Sequence, residues 1–144
     1  MEDDTLIFVT GQDIVGIYSV KRAEYIPYQG AEIRKGIERL VRAKEIVTYN
    51  GNHRDLIDIS KFMGLPEGQL VAIEGHHTDM REICWSTRIW GSSLVNTYEM
   101  HFNDVPHFAD TYEGSNEQDV YMTFKLWECL KNRSLKVLDG NPLP

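Results

Sequence analysis

Asp55 and Asp119 each fall inside the apolar stripe of a helix-forming segment. At about 100° per residue, Leu126 and Leu130 lie within roughly 20° of Asp119 on either side. Met122 and Trp127 share that half of the helix, and Lys125 and Glu128 mark the polar side. In the segment His53–Met63, Asp55 falls between Phe62 and Ile59, while Asp58 lies at the margin of the arc, within reach of water. Taking a carboxylate out of water costs several kcal/mol unless a partner compensates it. One compensation is a shared divalent cation, Mg²⁺ or Mn²⁺, held by oxygen ligands. The other is structural. Both aspartates fall in the expected first turns of their helices, where a negative charge gains about 0.3–1 kcal/mol, and an arginine such as Arg54 or Arg88 could pair with either.

The elements that must position these groups follow from periodicity. Thr5–Gly11 and Ile14–Val20 are apolar, β-rich runs joined by the turn Gly11-Gln12-Asp13. Glu24–Gln29 is a third strand, confined to a sheet edge by Pro27. Ala31–Lys44 is an amphipathic helix, with Ile33, Ile37, Leu40 and Val41 on one side and Arg34, Lys35, Arg39, Arg42 and Lys44 on the other. That basic side reads first as a solvated face and second as a phosphate contact. Glu45–Tyr49 is a fourth strand closed by Asn50-Gly51, and His53–Met63 is a short helix closed by Gly64 and Pro66. A fifth strand is expected to begin at Leu70–Ile73, with His76–Cys84 continuing it or forming a loop. Gly91–Phe102 reads as helix, Pro106–Gly114 as loop and Ser115–Lys131 as the strongest helix, opened by a Ser115–Gln118 capping box. A meander followed by alternating helices and strands predicts one α/β domain over residues 1–144, a mixed five-stranded sheet flanked by helices.

The chain has 144 residues, 42% of them hydrophobic and 26% charged, with a net charge of −7. That balance argues against coating nucleic acid by bulk positive charge, but leaves room for an enzyme that holds phosphate through bound metal. Cys84 and Cys129 are too few for a disulfide framework and lie in apolar surroundings, so they read as buried free thiols. No run reaches the roughly 18 apolar residues of a membrane span, and the acidic start Met-Glu-Asp-Asp is unlike a signal peptide. A cytoplasmic protein without a membrane partner is the expectation. His53, His76, His77, His101 and His107 show no zinc spacing with the cysteines. Trp85, Trp90 and Trp127 could stack bases, but core packing is the first expectation for them.

The segment Ile46-Val47-Thr48-Tyr49-Asn50-Gly51-Asn52-His53-Arg54-Asp55-Leu56 resembles the second motif of the DEDD exonucleases, in which a strand ends in Asn-Gly and an aspartate follows at a helix start. His77-Thr78-Asp79-Met80 resembles the next stretch in the bacterial branch of these domains. Gly91-Ser92-Ser93-Leu94 resembles the opening of the following helix, and Asn116-Glu117-Gln118-Asp119-Val120 the third motif. In order and spacing the resemblance covers roughly residues 5 to 132. It implies a ribonuclease-H-like fold and metal-assisted phosphodiester hydrolysis, with Mg²⁺ or Mn²⁺, at single-stranded DNA or RNA ends in the 3′–5′ sense. Asp55 and Asp119 match the metal-ligand positions, Asn50 matches the strand-end asparagine, and Asp79 and Asp13 are further candidates.

Two departures bear on activity. The superfamily carries Asp-x-Glu on the first strand, where this chain has the neutral Thr10 and Gln12. The third motif normally places a tyrosine four residues, or a histidine five residues, before its aspartate, where this chain has Ser115 and Gly114. Arg54 stands where the second motif usually has an aromatic residue. The expectation is at most one weakly held ion and weak or lost hydrolysis. The alternative is an inactive domain of the same fold that binds nucleic acid or a partner protein.

Overall fold

The computed structural model describes residues 2–86 and 93–135. The chain runs β1 (Glu2–Gly11), β2 (Ile14–Ser19), β3 (Glu24–Gln29), a 3-10 turn (Gly30–Glu32), α1 (Ile33–Arg42), β4 (Ala43–Thr48), α2 (Asp55–Phe62), β5 (His76–Asp79), α3 (Met80–Ser86), α4 (Leu94–Phe102) and α5 (Tyr112–Lys131). The five strands form one mixed sheet in the order β3-β2-β1-β4-β5. β1 pairs antiparallel with β2, and β2 with β3. β4 lies parallel to β1, and β5 parallel to β4.

β1 is central and covered on both faces, which is why Leu6-Ile7-Phe8-Val9 is a continuous apolar run rather than an alternating one. Successive side chains point to opposite faces. Leu6 and Phe8 pack with Ile17, Ile37, Leu40, Leu56 and Ile59 in the layer made by α1 and α2. Ile7 and Val9 pack with Val47, Met80, Val120 and Leu126 in the layer made by α3 and α5. By the same parity Thr10 faces α2, the helix that carries Asp55.

The mixed five-stranded α/β architecture agrees with the sequence reading, and several boundaries move. β1 begins at Glu2, earlier than Thr5, because Glu2 still pairs with Ala43 of β4. The expected fifth strand at Leu70–Ile73 is coil: Val71 and Ile73 pack against the α1/α2 layer. The fifth strand is His76–Asp79, which finds its partner in Glu45–Thr48. α3 replaces the loop or strand expected through Cys84.

α5 starts at Tyr112, one turn before the expected Ser115. Thr111 is the N-cap and its side chain accepts from the Gly114 N–H, so no Ser115–Gln118 box opens the helix. α4 starts at Leu94 with Ser93 as N-cap, accepting from the Asn96 N–H. The predicted Gly91 and Ser92 lie outside the described residues, as do Arg88 and Trp90. On the basic side of α1, Lys35 pairs with Glu32 at 3.0 Å in the open, and Arg39 donates to the Tyr28 hydroxyl at 2.8 Å. Cys84 and Cys129 are buried free thiols, and burial pushes the Cys84 thiol up to about 12, which leaves it unreactive. Among the described residues no helix is long and apolar enough to cross a membrane.

Candidate functional site

β4 ends at Thr48, and the chain turns sharply through Tyr49-Asn50-Gly51-Asn52 before α2 begins. Asn50 takes a left-handed conformation (φ 71°), which asparagine tolerates better than most residues. Asp79, at the end of neighbouring β5, is the template for this turn. Its carboxylate accepts from the backbone N–H of Asn50 at 2.7 Å, Asn52 at 3.2 Å and Arg81 at 3.0 Å. Asp79 therefore shapes the loop that launches Asp55.

Asp55 is the first residue of α2 and only 2% exposed. It meets the end of β1: Thr10 donates to its Oδ1 from the backbone N–H at 3.0 Å and from the hydroxyl at 2.7 Å. The same hydroxyl lies 2.7 Å from Asp58 Oδ2. A hydroxyl has one proton to donate, so Thr10 donates to one of the two carboxylates at a time. Burial raises the Asp55 pKa above the ordinary carboxylate range. The two Thr10 donors and Arg54 oppose that shift, and Asp58 adds to it.

Asp119 approaches from the other layer. Because α5 begins at Tyr112, Asp119 lies two turns inside the helix and not in its first turn, where the helix dipole would have helped it. Burial raises its pKa too, and Arg54 again lowers it. Its carboxylate makes no hydrogen bond or ion pair among the described residues.

The two aspartates line one cavity of about 240 Å³ at the end of β1, together with Val9, Asn50, Arg54 and Arg81. Arg54 is exposed at its mouth and donates to the Thr10 carbonyl at 3.3 Å. Asn50 Oδ1 is a buried acceptor with no hydrogen-bond partner among the described residues. The sequence candidates thus divide. Asp55, Asp119 and Asn50 share the cavity, Thr10 braces Asp55 from behind, and Asp79 holds the loop. Gln12 and Asp13 are exposed in the β1–β2 turn, Asp13 at φ 55°, and do not line the cavity. Among the described residues no group of three or more His, Cys, Asp or Glu side chains gathers as a metal site would require.

Arg54, expected as a partner for either aspartate, reaches both electrostatically. Two further contributors are not foreseen by the sequence. Asp58 shares the Thr10 hydroxyl. Asn116, 5% exposed, seats α5: its Nδ2 donates to the Val9 carbonyl at 2.9 Å, and its Oδ1 accepts from the Tyr25 hydroxyl at 2.7 Å. A helical projection would have found Asn116, since it lies about 60° from Asp119 on the apolar half.

A second, wider cavity of about 880 Å³ runs beside β5, between His53, His76, His77, Glu45 and Lys131. His77 Nε2 lies 2.8 Å from Thr48 Oγ1. Burial holds the His77 imidazole below its ordinary value; Asp79 and Glu82 oppose this, and His76 adds to it. An unfolded His77 takes up a proton as pH falls through about 6.5, and the folded one resists. Its contribution to stability is complete above that value and is lost progressively below it. In thermal melts between about pH 7.5 and pH 5.5, His77→Gln is expected to flatten the acid-side fall in melting temperature. Parallel wild-type and variant curves would show that His77 is not the group responsible.

In comparisons with known proteins, no family model matches the chain and no curated sequence matches it.

Proposed function

We propose that this chain is a ribonuclease-H-like domain of the exonuclease type that takes the end of single-stranded DNA or RNA at the Asp55–Asp119 cavity. The observation that carries this reading is that the two aspartates, from helices on opposite layers, converge at the end of the central strand. The strand order β3-β2-β1-β4-β5, with a leading antiparallel meander, supports the ribonuclease-H-like assignment.

The donor set would hold at most one hard cation, and weakly, since among the described residues only two carboxylates reach the cavity. Asp55, Asp119 and the unpartnered Asn50 Oδ1 supply oxygen ligands of the kind Mg²⁺ or Mn²⁺ takes. Thr10 brings no charge, where a two-ion centre would want a carboxylate. When bound, such an ion would polarise a phosphoryl oxygen and make a bound water more acidic. The chain's own residues do the rest. Asp55 is held in place by Thr10, Asp119 is held by the seating of α5 through Asn116, and Arg54 presents positive charge to an incoming phosphate. The motif-three tyrosine or histidine that would orient the water has no counterpart, which costs typically ~10²–10⁴ in rate. Slow hydrolysis is the expectation.

The test combines a melt with a cleavage assay. At Mn²⁺ ten times its dissociation constant, wild type gains about 1.4 kcal/mol, and Asp119→Asn gains nothing. Labelled single-stranded oligonucleotides are shortened slowly by wild type, and at least about a hundredfold more slowly by the variant. Equal cleavage by both, or none by either, would end the enzyme reading. Thr10 on the central strand favours a second reading, a domain that keeps the fold for binding nucleic acid or a partner protein without chemistry. It predicts no stabilisation by Mn²⁺ and retained binding of a single strand in EDTA.

A further inference from the structure

We infer that the Arg54 guanidinium is the cavity's built-in cation, supplying positive charge to Asp55 and Asp119 when no metal is bound and so setting how tightly Mg²⁺ or Mn²⁺ binds there. The metal half of this inference rests on the function proposed above; the charge-balance half does not.

Arg54 immediately precedes α2, so its backbone is fixed beside Asp55. Its guanidinium donates to the Thr10 carbonyl at 3.3 Å, which brings it to the strand end that both carboxylates reach. It lines the same 240 Å³ cavity as they do. Among the described residues it makes no ion pair within 4 Å with either aspartate, so it faces both without being locked to one. Its positive charge favours the ionised form of each carboxyl. The other charged groups around the cavity are Asp58 on α2, Arg81 on α3 and Asp79 at the end of β5. The Asp79 carboxylate is engaged by three backbone donors. Arg54 therefore sets a positive charge beside the two carboxylates before any ion arrives. A divalent cation entering there meets repulsion that an all-carboxylate pocket would not offer. Because Arg54 is exposed at the mouth, it can swing outward when an ion binds.

The experiment compares wild type, Arg54→Met, Arg54→Lys and the double variant Arg54→Met/Asp119→Asn. Melts are recorded in EDTA, and Mn²⁺ binding is read by the loss of the free-ion electron paramagnetic resonance signal. Arg54→Met is expected to melt below wild type in EDTA, and Arg54→Lys close to it. The double variant, having lost one charge of each sign, should recover part of the deficit. Arg54→Met should bind Mn²⁺ about tenfold more tightly or better, and added Mn²⁺ should restore its melting temperature. If Arg54→Met does not fold in EDTA, recovery of folding in the double variant or in Mn²⁺ carries the same conclusion. Identical melts for wild type and Arg54→Met, or a double variant showing only the sum of two separate losses, overturns the inference. So does wild type binding Mn²⁺ as tightly as Arg54→Met. If no variant binds millimolar Mn²⁺ while the charge-dependent pattern of melts persists, Arg54 keeps its role and the metal reading fails.

Discussion

Asp79→Ala is expected to lower stability by about 3 kcal/mol, removing one buried acceptor from three backbone donors. The Asp79 side chain is 5% exposed and accepts from Asn50, Asn52 and Arg81. Each buried donor left without a partner costs about 1–3 kcal/mol. Water can reach part of the loop once the carboxylate is gone, so the sum falls short of three full penalties. At this chain length the loss corresponds to a melting-point drop of roughly 10 °C. Asp79→Asn should fall between wild type and Asp79→Ala, because its amide keeps one acceptor but turns an N–H₂ toward a backbone N–H. Urea titrations read the effect as a shifted midpoint with an unchanged slope. A loss of less than about 0.5 kcal/mol, the range of an ordinary surface substitution, would mean the Asn50 turn holds itself. On the proposed metal site, Asp79→Ala should also weaken Mn²⁺ binding without touching the ion, since the loop it shapes carries both Asn50 and the start of α2.

Gly16→Ala should be of similar size for a different reason. Gly16 lies on β2, opposite Val9 of β1 and Pro27 of β3. A Cβ added there would stand 1.6 Å from Asn116 Oδ1 and 2.9 Å from Tyr25 Cε1. Neither neighbour can give way cheaply, because Asn116 is pinned by the Val9 carbonyl and the Tyr25 hydroxyl. Overpacking costs about 1–3 kcal/mol, and disturbing the two buried hydrogen bonds adds about 1 kcal/mol each. A total near 3–4 kcal/mol follows. The Tyr25 hydroxyl, whose pKa burial and then Glu117 and Glu113 raise, stays a neutral donor throughout. The decisive comparison is a double-mutant cycle. Asn116→Ala alone destabilises, and adding Gly16→Ala to it should cost clearly less than Gly16→Ala alone, since the clash with the amide is gone and only that with Tyr25 Cε1 remains. Simple addition of the two losses would rule out the clash as the cause.

The sheet was legible because its core strands are apolar on both faces: the run Leu6–Val9 needs no context to be read as a buried strand. Asp55 and Asp119 were legible as carboxylates on the wrong side of their helices, and they do share a cavity. Phe62, on that side of α2 by periodicity, is nevertheless 38% exposed, so the buried arc of α2 is narrower than its apolar pattern implies. His76–Asp79 is readable only as strand or loop, because His-His-Thr-Asp has no apolar period. It is ordered by backbone pairing with β4 and by side-chain bonds such as Thr78 Oγ1 to Glu45 Oε2 at 2.7 Å. Leu70–Ile73 reads as a strand because Val71 and Ile73 alternate toward the core, but they pack there as coil with no strand partner, and Leu70 is 53% exposed. The start of α5 was misplaced because two cap-forming residues, Thr111 and Ser115, lie one turn apart, and propensity does not choose between them. The sequence offers Arg54 as a partner for either aspartate, but neither its bond to the Thr10 carbonyl nor that of Asp58 to the Thr10 hydroxyl follows from spacing, since both depend on how the end of β1 meets α2.

The margins of the sheet bear on how the protein behaves when concentrated. On one side lies β3, where Pro27 interrupts the row of amide donors. On the other lies β5, only four residues long and bearing two histidines. Neither border offers a long, flat, regular ladder onto which a strand from another molecule could zip. Runaway sheet extension, the common hazard of open α/β sheets, is thereby blunted at both ends.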